Sequence, residues 1–199
     1  MPASPISPHT TTSRKPASLS GGAQLETDRL ILREPVAPDA PLLLAYHMRN
    51  DERFSRWEPK RGTEVAQHAQ WITWRRSETD AGNARTFLAF DRAAPQTLVG
   101  LVNLDGFARE PKRTAMLSYS VDAAYEGKGY AREACAAMIA YAFGSLDLEG
   151  LSATYDVANA RSGGLLARLG FTVVASTPVI PGMERLMRAQ SLAVLTRAS

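Results

Sequence analysis

Residues 126–132, Glu126-Gly127-Lys128-Gly129-Tyr130-Ala131-Arg132, have the composition of a phosphate cradle. They stand between an alternating, strand-like run at 115–121 and an alanine-rich, helix-like run that ends near Phe143 and Gly144. The order is strand, short glycine loop, helix. Gly127 and Gly129 carry no side chain where the backbone must turn tightly or approach a ligand closely. The amides of Gly129, Tyr130, Ala131 and Arg132 then open a helix, where backbone donors have no partner of their own. Such a helix start attracts phosphate through its free N–H groups and the positive end of its dipole. It is not a dinucleotide fingerprint, because Arg132 stands where the third glycine belongs. Nor is it a P-loop, because Gly129 follows Lys128 where Ser or Thr is required. An ordinary glycine turn would use the same residues, so the loop alone leaves two readings.

A second motif, DVANARSGGLLARLGF at 156–171, reads as a strand end, Asn159, a short helix and a C′ glycine at Gly170, before Phe171 opens another strand. Near the start stands LETDRLILR at 25–33. With these three segments in this order, the chain resembles the GNAT acetyltransferases, in the branch of the Rim-type ribosomal-protein N-terminal acetyltransferases. The resemblance runs from Leu25 to Phe171 and implies a specific chemistry. Acetyl-CoA would be the co-substrate, its phosphates held by Glu126, Gly127, Lys128, Gly129, Tyr130, Ala131 and Arg132. An amine would attack the thioester directly, with no metal. Tyr119, Ser120 and Val121 would line the cofactor on a splayed strand, the amide near Ser120 or Val121 polarising the acetyl carbonyl. Asn159 would hold the pantetheine arm or a water, and could also cap the following helix; Ser162 would donate to the leaving thiolate, or else be an ordinary first-turn helix serine. Ser120 and Ser162 are therefore the candidate catalytic residues.

The chain departs from the family pattern at three places. Glu126 stands where Gln or Arg is usual, a carboxylate beside a pyrophosphate. Met116 stands where a glutamate is often the base. Leu166 stands where a tyrosine often protonates the thiolate. Gly163 and Gly164 weaken the short helix by about 1 kcal/mol each relative to Ala, and are expected to let either the pantetheine approach or the helix fray. Among acids, Glu58, Asp105, Glu110 and Asp156 are open as bases, each also readable as a solvated surface acid. His47 and His68 read as packing or surface residues. The Arg56-Trp57-Glu58-Pro59 segment is expected either to touch the acceptor or to be a packed loop.

The elements that must position these residues follow from pattern. A strand is expected over 29–33, a helix capped by Asp39 through about Met48, and a helix from about Glu64 to Arg76 capped by Thr63. Trp71 and Trp74 would form a core or groove-lining stripe. A hairpin spans 86–91 and 97–104, and later strands lie at 151–157, 171–180 and 190–196 around a helix at 162–169. The expected fold is α/β: a GNAT-type mixed, mostly antiparallel central sheet flanked by helices and splayed at the cofactor site.

At 199 residues, 45% of them apolar, the chain suits one domain at 25–199 with a disordered Pro/Ser/Thr-rich leader at 1–24. The leader has no apolar core of a secretory signal. No apolar run approaches a membrane span. The single Cys135 excludes an internal disulfide and suits a reducing cytoplasm. It reads as a buried structural thiol. A net charge of +3 without a basic stripe argues against direct nucleic-acid binding. No His/Cys/Asp cluster has metal-ligand spacing. The expected partners are acetyl-CoA and an amine acceptor, with a homodimer implied by the family alone. Three functions stay open: acetylation of a protein N-terminus, acetylation of a small amine, and acyl-CoA binding without catalysis.

Overall fold

Eight strands form one sheet in the order β1-β2-β3-β4-β5-β6-β8-β7. The computed structural model describes residues 22–58, 60–177 and 189–198. The strands are β1 (Gln24–Glu26), β2 (Leu30–Arg33), β3 (Arg85–Asp91), β4 (Ala94–Ala108), β5 (Thr114–Val121), β6 (Gly150–Asp156), β7 (Thr172–Thr177) and β8 (Gln190–Thr196). The helices are α1 (Ala40–Phe54), α2 (Val65–Asp80), α3 (Tyr130–Gly144) and α4 (Ala160–Arg168). Every pairing is antiparallel except β5 with β6. The mixed, mostly antiparallel sheet expected from the sequence is therefore present.

The centre of the sheet is buried on both faces, so β3 reads as a near-continuous apolar run. Phe87 and Ala89 face one side with Cys135, Met138 and Ala142 of α3 and Leu166 of α4. Leu88 and Phe90 face the other side with Leu43 and Tyr46 of α1 and Ile72 of α2. Thus α3 and α4 cover one face, and α1 and α2 the other. Cys135 is fully buried within the first cluster, as expected of a structural thiol.

Several local expectations need correction. Asp39 is the N-cap residue of α1, but its carboxylate makes no cap bond; it takes two bonds of 2.7 Å from the Arg33 guanidinium and one from the Val36 amide. A β2 arginine within reach overrides the helix start. The N-cap of α2 is Glu64, not Thr63, and the Gln67 side chain accepts from the Glu64 amide at 3.1 Å. Helix α1 runs on to Phe54 because Tyr46, Asn50 and Phe54 continue its buried face. Of the expected leader, residues 1–21 lie outside the described residues, and Gln24 already opens β1. Pro59 and residues 178–180 of the expected late strand lie outside them too.

Candidate active site

The parallel pairing of β5 and β6 is short: Thr114 to Gly150, Ala115 to Leu151 and Met116 to Ser152. Beyond Met116, β5 continues against β4 as far as Val121, while β6 turns away with β8 as far as Asp156. The two strands separate like the arms of a V, leaving one edge of residues 117–121 without a partner strand. Which amides face the gap follows from strand alternation. The Asp122 amide donates to the Val99 carbonyl of β4 at 2.8 Å. The backbone groups of Val121 and Tyr119 therefore face the gap, and those of Ser120 face β4. Of the two amides expected to polarise a carbonyl, Val121 has the right direction. The Ser120 hydroxyl instead accepts from Tyr46 Oη at 2.9 Å on the α1 face. Gly100 of β4 lets the strands approach here, since a Cβ would run into the Ser120 carbonyl.

The glycine loop closes the end of the V. Gly127 and Gly129 have φ of 69° and 84°, a region that favours glycine, and Gly129 is the N-cap of α3. From Gly127 to Arg132, no backbone N–H has a partner among the described residues; Glu133 is the first to bond back, to Gly129. The opening LETDR segment explains how this loop is held. Thr27 Oγ1 and the Arg29 amide donate to Glu133 at 2.6 and 2.8 Å. The Arg29 guanidinium pairs with Glu133, donates to the Lys128 carbonyl at 3.0 Å and lies 4.1 Å above the Tyr130 ring. Desolvation opposes ionisation of Glu133, but the Thr27 hydroxyl and the Arg29 amide and guanidinium hold it below the usual carboxylate range. The free amides thus point outward from a loop clamped from behind, which is the arrangement a diphosphate requires.

Helix α4 lines the other arm of the V. Asn159 Oδ1 accepts from the Ser162 amide at 3.1 Å, so Asn159 is its N-cap. Ser162 Oγ lies 2.8 Å from Tyr119 Oη. Burial pushes the Tyr119 phenol up to about 12, with the Ser162 bond opposing. Two hydroxyls in contact need one hydrogen between them, so a second remains for another acceptor. Gly163 has a packing role that the sequence did not suggest: a Cβ there would sit 2.8 Å from the Tyr155 ring, so the glycine makes room for that ring.

A polar strap ties α1 to the same loop. Arg49 and Asn50 both reach the Asp122 carboxylate, and Asn50 Oδ1 accepts from the Ala123 amide at 2.9 Å. Arg53 donates to the Val121 carbonyl and pairs with Glu126, whose other oxygen lies 2.6 Å from Arg161 of α4. None of these arginines was singled out in the sequence, because partners 35, 68 and 73 residues apart leave no local signal.

The candidate bases are engaged elsewhere or open to solvent. Glu58 pairs with Arg61 at 2.7 Å, Asp105 with the buried Arg75 at 2.5 Å, and Asp156 accepts from the Ala158 amide at 2.8 Å. Glu110 is exposed. Met116 is 39% exposed at the point where the strands part, and Leu166 is buried in the core. Trp57 is half-exposed; Trp71 packs in the α1–α2 core, but Trp74 is turned outward. His47 and His68 face each other at 2.9 Å beside a cavity of about 200 Å³ that Lys60, Arg61 and Trp71 also line. His68 Nδ1 faces the Glu64 carbonyl at 3.0 Å. It must carry the hydrogen, so His47 Nδ1 donates to His68 Nε2. Among the described residues, no group of three His, Cys, Asp or Glu could hold a metal.

The family model for the GNAT acetyltransferase domain matches residues 29–172. The chain belongs to the GNAT acetyltransferase family. GNAT enzymes transfer an acetyl group from acetyl-CoA to an amine, and this protein is an acetyl-CoA-dependent N-acetyltransferase. It is 32% identical over 151 residues to the [ribosomal protein uS5]-alanine N-acetyltransferase of Escherichia coli, covering 74% of this chain and 77% of that one. The fold matches the ribosomal-protein-S5-alanine acetyltransferase of Vibrio fischeri with a TM-score of 0.80 at 24% identity, over 87% of this chain and 96% of the other. It also matches Mycobacterium smegmatis RimJ, solved in complex with a CoA-disulfide, with a TM-score of 0.75 at 20% identity, over 88% and 86%.

Proposed function

We propose that the acceptor is the N-terminal α-amine of a protein, with a ribosomal protein as the first candidate. Support comes from the relatives, which include a ribosomal-protein alanine N-acetyltransferase, and from the state of the candidate bases. With Glu58 and Asp105 committed to arginines, the acceptor has to supply much of its own reactivity. An α-amine with a pKa of about 7.7–8.0 is roughly 10–17% neutral at pH 7, whereas a lysine near 10.4 is neutral to about 0.04%. An ordered water can remove the remaining proton from the former.

The single observation that carries the mechanism is the Val121 amide on the open edge of β5, between the free amides of α3 and the hydroxyls of Ser162 and Tyr119. In this reading the loop amides hold the diphosphate and the Val121 N–H takes the negative charge that develops on the acetyl oxygen. The Arg53 guanidinium on the Val121 carbonyl adds a positive charge close to this amide. Asn159 holds the arm of the cofactor with the carboxamide NH₂ that capping leaves unused. Ser162, backed by Tyr119, donates to the departing sulfur. The protein works in the cytoplasm, where ribosomal proteins are made; no described helix is long and apolar enough to cross a membrane. A homodimer belongs to the same proposal, and light scattering tests it.

A panel of N-terminal peptides and small amines, followed by release of free thiol from acetyl-CoA, tests the acceptor class. Peptides are expected to be preferred. Turnover with polyamines, free amino acids or aminoglycosides but no peptide would replace this acceptor with a small molecule.

A further inference from the structure

Glu126 opens the phosphate loop with a carboxylate, which by itself would repel the group that the loop is shaped to bind. The structure gives it two cationic partners, Arg53 of α1 on one oxygen and Arg161 of α4 on the other. The three side chains together carry +1 instead of −1. The two arginines differ in what they have left to offer. Arg53 is largely covered and divided among Glu126, the Val121 carbonyl and Asn50. Arg161 is 83% exposed and touches Glu126 through Nη1 alone, at 2.6 Å. The rest of its guanidinium donors have no partner among the described residues. Arg161 lies in the first turn of α4, between Asn159 and Ser162, and Glu126 immediately precedes the first free amide of the loop. A guanidinium can hold a carboxylate on one edge and phosphate oxygens on another, because its donors are fixed in a planar fork.

We propose that Glu126 is a docking post that presents Arg161 across the mouth of the V, where its free edge binds the diphosphate of acetyl-CoA. Arg161 is then a binding residue, and Glu126 a positioning residue that acts through it. The inference rests on the acetyl-CoA reading of the loop and predicts a counterintuitive sign: a carboxylate beside the diphosphate strengthens its binding.

Calorimetry on the full chain tests this with two probes, CoA and pantetheine, the second lacking the nucleotide and its phosphates. Arg161→Met is expected to weaken CoA about tenfold or more, the loss of charge-assisted hydrogen bonds, and to leave pantetheine unchanged. Arg161→Lys keeps the charge without the fork and should fall between. Glu126→Gln should weaken CoA severalfold, and the wild-type affinity should drop more steeply with added salt than that of Arg161→Met. Unchanged CoA binding by a folded Arg161→Met protein would overturn the inference, as would equal losses for CoA and pantetheine, which would place the effect in the fold of α4. Tighter CoA binding by Glu126→Gln would also overturn it, since simple repulsion predicts that result. Failure of the wild-type protein to bind CoA would instead remove the reading on which it rests.

Discussion

Replacing Ser162 by alanine separates catalysis from architecture at this site. The helix cap survives the change, because Asn159 Oδ1 accepts from the backbone amide of residue 162 and not from its hydroxyl. What is lost is the 2.8 Å contact with Tyr119 Oη, which keeps the residue 162 carbonyl at 3.4 Å as a second acceptor. The stability cost should therefore be about 1 kcal/mol or less, or about 2–4 °C in melting temperature for a chain of this size. The effect on turnover can be bounded in the same way. A phenol pushed up to about 12 cannot hand its proton outright to a thiolate, whose conjugate acid lies near 8.5 by analogy with cysteine. The pair thus donates a hydrogen bond and is not a full general acid. A hydrogen bond to a charged group contributes about 1.5–3 kcal/mol, which corresponds to roughly 10- to 150-fold in kcat. Because the sulfur carries its charge only in the transition state, kcat should fall while the KM for acetyl-CoA stays nearly constant. Tyr119→Phe should cost less, and the double variant less than the sum, since the two hydroxyls act in series. The assay is steady-state kinetics beside thermal melts. Turnover within twofold of wild type in Ser162→Ala would refute the reasoning and leave thiolate departure to water.

Three further outcomes are expected. Gly129→Val puts a β-branched residue at a φ of 84° beside Arg29, so calorimetry should show acetyl-CoA binding largely lost; unchanged affinity in a folded variant would contradict the phosphate assignment. Burial, helped by the Arg61 charge and His68, holds His47 near 3 instead of its ordinary 6.5. The folded protein then binds fewer protons than the unfolded chain between those values, so stability is full above pH 6.5 and falls by up to about 1.4 kcal/mol for each unit below it. Melts from neutral to acid pH should show this loss, and His47→Asn should flatten it; an equal slope in both proteins would place the acid sensitivity elsewhere. Deletion of residues 1–22 should leave melting temperature and turnover nearly unchanged, because that composition cannot bury enough apolar surface to offset its ordering entropy; a drop of several degrees would mean that the segment is docked.

The parts of the site legible in the sequence are those set by local chain geometry. Gly127 and Gly129 announce a positive-φ turn, Asn159 and Gly170 bracket α4, and the alternating run at 115–121 gives β5 to within one residue. The arrangement of those parts was legible only through resemblance, since nothing in a strand's own residues says that its partner leaves after Met116. Long-range polar contacts were not legible at all. Asp39 looks like a helix cap until Arg33 is seen beside it, and Arg49, Arg53 and Arg161 look like surface charges until Asp122, Val121 and Glu126 are placed opposite them. Gly163 shows the same limit from the other side: its reason is the Tyr155 ring, eight positions back in the chain but in contact across the fold.

The central claim is that the open edge of β5 carries an acetyl group to an α-amine. One measurement tests it most directly: incubation of the protein and acetyl-CoA with a peptide that has both a free N-terminus and an internal lysine, followed by fragment mass mapping of the product. The account predicts a single acetyl group on the N-terminal nitrogen, formed with one equivalent of free CoA. Acetylation of the lysine with the N-terminus untouched would contradict it.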